Sequence, residues 1–241
     1  MMPQTRPIAL ITAHGQPSQP QPPEVALARL AAQVQDLLPD WQIRSATLST
    51  PDRFEAEMAD GAVVYPFFMA NGWFAGQVLP RRLRDIPHQM ACPFGLDPAL
   101  PALVAAAMNQ EVVQRGWGDQ GFDLLLAAHG SARGPKAAQA ANDFAKALRP
   151  LLPQARINTG FIEQTPTVET AAQTLGSPAL CLPFFAQSGD HSRTDIPEAL
   201  SAARFTGATL QVTGALPAVA ALIAQSINSF VSLTAKPGEK S

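Results

Sequence analysis

Two histidines and one glutamate in the second half of the chain, His129, Glu163 and His191, are the residues best suited to chemistry. Imidazole nitrogens and a carboxylate together accept a divalent first-row ion and leave coordination positions open for another ligand. The same groups take up protons around neutrality, because an unperturbed imidazole titrates at about 6.5. Each follows a short apolar run that reads as a strand: Asp123 to Ala128 before His129, Arg156 to Ile162 before Glu163, and Ala179 to Phe185 before His191. In a parallel sheet, side chains just beyond the carboxyl ends of the strands share one rim, where ligands bind. The three residues are therefore expected to converge, although they are far apart along the chain.

The elements that must position them alternate between short apolar runs and longer stretches of helical period. That is the pattern of β-α-β crossovers, and it predicts an α/β fold with a parallel sheet. Lys136 to Leu151 spaces Ala140, Phe144, Ala147 and Leu148 along one helical face. Thr167 to Leu175, capped by Thr165 or Thr167, and Pro197 to Ala203, with its proline in the first turn, read as further helices. Thr209 to Thr213 reads as a fourth strand.

The chain also repeats itself. Ile8 to Ser18 (IALITAHGQPS) resembles Leu124 to Gly134 (LLLAAHGSARG), so His14 matches His129. Tyr65 to Leu83 resembles Leu182 to Leu200, pairing Pro66 with Pro183 and Pro80 with Pro197, and Gly95 to Asn109 resembles Gly214 to Asn228. A unit used twice predicts two similar flavodoxin-like lobes, 1–114 and 121–233, joined by the glycine-containing linker Arg115 to Gln120. The first copy serves as an internal control. It keeps His14 but has Ser49 opposite Glu163, Phe74 opposite His191 and Val78 opposite Asp195. One competent site per chain is expected, in the second lobe. Phe67, Phe68, Met69, Trp73 and Phe74 of the first lobe would offer an apolar wall to a flat aromatic ligand.

Composition narrows the partners. With 46% hydrophobic and 15% charged residues the chain is expected to be globular, and a formal charge of −2 gives no positive field for nucleic acid or an anionic membrane. Cys92 and Cys181 lie far apart in apolar stretches and read as buried thiols, outside any disulfide framework or cysteine zinc site. No run approaches the length of a membrane span, and the early apolar run Pro7 to Ala13 is too short for a signal peptide core. A cytoplasmic protein, monomeric or homodimeric, is expected.

The motifs AHGSARG, GFIEQTPT and LPFFAQSGDHSRTDIP together resemble the class II tetrapyrrole chelatases, in particular the sirohydrochlorin cobalt- and iron-chelatase family in its two-lobed form. The resemblance covers nearly the whole chain. It implies insertion of a divalent metal substrate, Fe²⁺ or Co²⁺, into a sirohydrochlorin-type tetrapyrrole, without ATP or another organic cofactor. Residues matching His129 and His191 would bind the metal and take up protons, with Glu163 as ligand or proton acceptor. Consistently, the sequence has no G-x-x-x-x-G-K-[ST] or G-x-G-x-x-G phosphate loop. The ring's carboxylates would need cationic and hydroxyl donors, and Ser131, Arg133 and Arg193, with Lys136 nearby, flank the two histidine motifs. Iron is favoured slightly, since no His-rich tract stands ready to store cobalt. The resemblance departs in one respect: some two-lobed relatives carry the competent histidines in the first lobe.

His14, whose lobe lacks the other two residues, and His88 read as structural or exposed histidines. A non-catalytic metal or tetrapyrrole carrier would use the same rim without a proton relay. A metal-assisted hydrolase would call for an H-E-x-x-H or nucleophile-elbow motif, and neither is present.

Overall fold

The computed structural model describes residues 6–118, 120–131 and 134–234. Its elements run β1 (Ile8–Ala13), α1 (Gln21–Leu37), β2 (Gln42–Thr47), α2 (Arg53–Glu57), β3 (Ala62–Pro66), α3 (Leu79–Arg82), β4 (His88–Met90) and α4 (Leu100–Gln114). The second half repeats them as β5 (Phe122–Ala128), α5 (Lys136–Leu148), β6 (Ala155–Phe161), α6 (Val168–Ala172), β7 (Ala179–Pro183), α7 (Ile196–Ala202), β8 (Ala208–Thr209) and α8 (Val219–Thr234). The strands form two four-stranded parallel sheets, ordered β2-β1-β3-β4 and β6-β5-β7-β8. The α/β class and the duplication are as expected.

Central strands of such sheets have helices on both faces, so they need continuous apolar runs rather than alternation. Every residue of β5, FDLLLAA, is buried, as is every residue of β7, ALCLP. Between β5 and β6, α5 buries Ala138, Ala141, Phe144, Ala145 and Leu148. Thr167 caps α6, its hydroxyl accepting from the Thr170 amide at 3.0 Å.

The compact units are not the contiguous halves 1–114 and 121–233. The last helix of each repeat is exchanged: the first unit takes α8 with β1 to β4, and the second takes α4 with β5 to β8. The reason lies in packing, since α8 contacts α1 and β3 while α4 contacts α5. The linker turns as glycine allows, with Gly116 at φ +67° and Gly118 at φ +57°.

Three further expectations are corrected. The fourth strand spans only Ala208–Thr209, because the chain beyond is tied to the end of β7: the Thr213 hydroxyl donates to the Pro183 carbonyl and the Gly214 amide to the Phe185 carbonyl. Cys92 is exposed where it follows the exposed edge strand β4, whereas Cys181 is buried in β7. His191, placed by sequence on a connection between strand and helix, starts a π-helical turn, His191–Asp195, that runs directly into α7. The matched segment Phe74–Val78 does the same before α3. Each turn precedes a proline, Pro197 or Pro80, that lacks an N–H and crowds the carbonyl four residues earlier.

Among the described residues no helix is long and apolar enough to cross a membrane.

Candidate active site

The strand order decides which residues meet. β5 lies between β6 and β7, so the residue following β5 has neighbours arriving from both sides. His129 follows β5, Glu163 lies two residues beyond β6, and His191 is carried back to the same rim by the π turn after β7. The rings of His129 and His191 meet edge to face, perpendicular, with centroids 4.5 Å apart. Glu163 Oε2 lies 3.7 Å from His129 Nδ1, within range for charge interaction but beyond a hydrogen bond. Their side chains are 39–43% exposed, open enough to receive a ligand.

The backbone around His129 is built to hold it there. Gly130 adopts φ +69°, and a Cβ on it would sit 2.8 Å from Gln164 Cγ and 3.0 Å from Phe161 Cβ. The amide of Ser131 donates to Gln164 Oε1 at 3.0 Å, and the amide of Glu163 donates to the His129 carbonyl at 3.0 Å. Gln164 thus props the loop that carries His129, a role with no sequence signal beyond its place next to Glu163.

Hydrogen-bond partners set the tautomers. His129 Nδ1 lies 3.0 Å from the Gly130 carbonyl, and His191 Nδ1 lies 2.5 Å from Asp195 Oδ2. Both partners accept, so in the neutral ring each Nδ1 bears the proton and each Nε2 is the nitrogen with the lone pair. The arrangement presents two basic nitrogens, able to bind a metal ion or accept protons. His191 is further steadied by Phe185, stacked at 6.4 Å and 30°. Among the described residues no group of three or more His, Cys, Asp or Glu side chains is drawn together around a single point as a metal cage. Asp195 completes this arrangement; its signal in the sequence is the His-x-x-x-Asp spacing, which places both side chains on one helical face.

Of the expected carboxylate-binding residues, Ser131 lies at the His129 loop, and Arg193 is exposed with its Nε donating to the Ser188 hydroxyl at 3.1 Å. Arg133 lies outside the described residues. Lys136 is exposed at the start of α5.

The first lobe repeats the geometry with different chemistry. His14 meets Phe74 edge to face at 3.7 Å, Gly15 adopts φ +77°, and the Ser49 amide donates to the His14 carbonyl at 3.0 Å. These contacts reproduce those of His129, Gly130 and Glu163, which establishes the pairing of Ser49 with Glu163 and of Phe74 with His191. The aromatic wall is corrected in part: Phe67 is core, 2% exposed and packed on Phe94, whereas Trp73 is 61% exposed with the Arg81 guanidinium 5.7 Å from its ring centroid. His88 is exposed, its Nδ1 at 2.7 Å from the Ile86 carbonyl.

A family model described as CbiX matches residues 123–229, the stretch that holds His129, Glu163 and His191. A solved structure described as CbiX, the terminal enzyme for biosynthesis of siroheme in denitrifying bacteria, is 42% identical, covering 92% of this chain and 98% of its own, with a TM-score of 0.83. The chain belongs to the CbiX family. Within its fold, SirB from Bacillus subtilis with Fe³⁺ superposes with a TM-score of 0.73 at 13% identity, covering 95% of this chain and 97% of its own. A probable sirohydrochlorin cobaltochelatase of Halobacterium salinarum is 25% identical over 167 residues, 58% of this CbiX-family chain. The chain spans about 57% of the length of that curated relative.

Proposed function

We propose that this protein is a sirohydrochlorin chelatase that inserts a divalent metal into the metal-free ring in the cytoplasm, without ATP or another organic cofactor. The observation that carries the proposal is the edge-to-face pair His129 and His191, each with Nε2 left basic by an acceptor at Nδ1. Insertion of M²⁺ releases two pyrrolic protons, so the reaction needs a ligand that hands over the metal and bases that take up the protons. Two imidazoles and a carboxylate at an open rim supply these. His129 and His191 receive the metal, and Glu163, 3.7 Å from His129, assists as proton acceptor or ligand. The second lobe carries the active site and the first a degenerate one, in which Phe74 replaces the second imidazole. Ser131, Arg133 and Arg193 are the proposed partners of the ring's carboxylates.

Iron is the proposed substrate metal. The 42% identical relative is described as the terminal enzyme of siroheme biosynthesis, and siroheme is the iron complex of this ring. Cobalt is the alternative that the Halobacterium salinarum relative's name favours.

The test is an anaerobic absorbance assay of the purified protein with sirohydrochlorin and Fe²⁺ or Co²⁺ supplied separately. The expected result is insertion above the uncatalysed rate, faster with Fe²⁺ at equal concentration. A protein that binds metal or ring stoichiometrically yet leaves the insertion rate unchanged is a carrier, and the proposal fails.

A further inference from the structure

The two imidazoles are held by unequal means. His129 leans on a backbone carbonyl, that of Gly130, which every sequence with this loop supplies. His191 takes its acceptor from a side chain, Asp195 Oδ2 at 2.5 Å. Phe185 and His129 constrain the His191 ring through its faces and edge, and neither sets which nitrogen carries the proton. Among the described residues only Asp195 does that.

The duplication separates this role from a structural one. The first lobe forms the same π turn, Phe74–Val78, followed by the same helix and proline, with Val78 where Asp195 stands. A carboxylate is therefore not required to build the turn. Asp195 is half-exposed and caps no helix with its side chain. Its presence coincides with an imidazole four residues earlier, and its replacement by valine coincides with phenylalanine there.

We propose that Asp195 is a positioning residue for metal capture: it holds His191 in the Nδ1–H tautomer and fixes the ring's orientation, so that Nε2 remains a metal ligand. Carboxylates behind metal-binding imidazoles act in this way, and their removal typically lowers metal affinity or activity by about 10–100-fold. The inference rests on the chelatase reading for its place in the reaction, but the binding measurement below does not.

The experiment compares the full-length protein with Asp195→Ala, Asp195→Asn and Asp195→Val. Co²⁺ binding to each is measured by titration in the absence of tetrapyrrole, and ¹⁵N chemical shifts of the His191 ring report its tautomer. Insertion assays then give separate KM values for metal and for sirohydrochlorin. Asp195→Ala is expected to weaken Co²⁺ binding and raise the metal KM by about 10–100-fold, leaving the sirohydrochlorin KM within about twofold. Asp195→Asn, whose amide oxygen still accepts from Nδ1, is expected to recover most of the loss. Asp195→Val has a native precedent in Val78 and carries the measurement should the alanine variant lose its fold. Wild-type Co²⁺ affinity and a single Nδ1–H tautomer in Asp195→Ala or Asp195→Val would overturn the proposal, as would a change confined to the sirohydrochlorin KM. Absence of insertion by the wild-type protein would instead remove the chelatase reading and leave the Co²⁺ and ¹⁵N results to decide the role of Asp195.

Discussion

His129 and His191 face each other edge to face at 4.5 Å, and one lobe earlier His14 and Phe74 do the same at 3.7 Å. The two pairs hang from matching loops and matching π turns, so the scaffold tolerates either an imidazole or a phenyl ring in the second position. What differs is a pair of ring nitrogens and the carboxylate behind them.

That equivalence makes His191→Phe the most direct test of the site. The substitution is expected to leave the far-UV circular dichroism and melting midpoint close to wild type, because Phe74 already packs in this way. Metal insertion should fall by roughly a hundredfold or more, the usual contribution of a positioned acid or base. Undiminished turnover with the fold intact would contradict the assignment of His191.

Glu163 should matter less. Its carboxylate is 3.7 Å from His129 Nδ1, where a backbone carbonyl already serves as the acceptor at 3.0 Å. Glu163→Gln is expected to lower kcat by about tenfold, and His129→Ala by more, since the alanine removes a nitrogen ligand outright. Steady-state assays of the two variants, side by side, check the order; a larger loss from Glu163→Gln would reverse the assigned roles.

Gly130→Ala is a test of positioning through the backbone. At φ +69° an alanine is strained by about 1–3 kcal/mol, and its methyl would press on Gln164 and Phe161. The melting midpoint should drop by about 2–4 °C per kcal/mol, and insertion should fall with it as His129 is displaced. Gly15→Ala, at φ +77° in the first lobe, should also destabilise, as its methyl would lie 2.0 Å from Ser49 Oγ before relaxation, yet without disturbing His129 or His191. Equal melting midpoints for wild type and both variants would show that neither turn needs glycine.

Acid stability should depend on Asp123. The hydrogen bonds from Arg156 hold its carboxyl below the usual range, and the Gly176 amide adds to this against the opposing effect of burial. A depressed folded value means the stabilisation is complete above the unfolded value of about 3.9 and disappears as pH falls through the lower folded value. Arg156→Gln is therefore expected to cost a constant amount of stability from neutrality to about pH 5, with the difference closing below pH 4. Urea midpoints measured across that range decide it; a gap that widens on acidification would exclude this origin.

Thiol reactivity offers a check on the fold itself. Burial pushes the Cys181 thiol up to about 12, while Cys92 is exposed. Alkylation of the native protein near pH 8 should modify Cys92 alone, and both residues in denaturant, as read by peptide mass mapping. Native modification of Cys181 would place β7 outside the core.

Much of this protein was determined by local pattern. Apolar runs and helical periods predicted the α/β class, the internal match predicted two lobes, and strand-end positions brought His129, Glu163 and His191 to one rim, because a parallel sheet puts the ends of its strands together whatever the details. Tertiary structure decided what pattern does not encode. The exchange of α4 and α8 between the units depends on which apolar face finds which partner, a long-range choice invisible to periodicity. The π turns, each just before a proline, are not signalled by periodicity, and only there does the spacing of His191 and Asp195 become a hydrogen bond. Which nitrogen of each imidazole carries the proton in the neutral ring is set by the acceptor that packing brings to it.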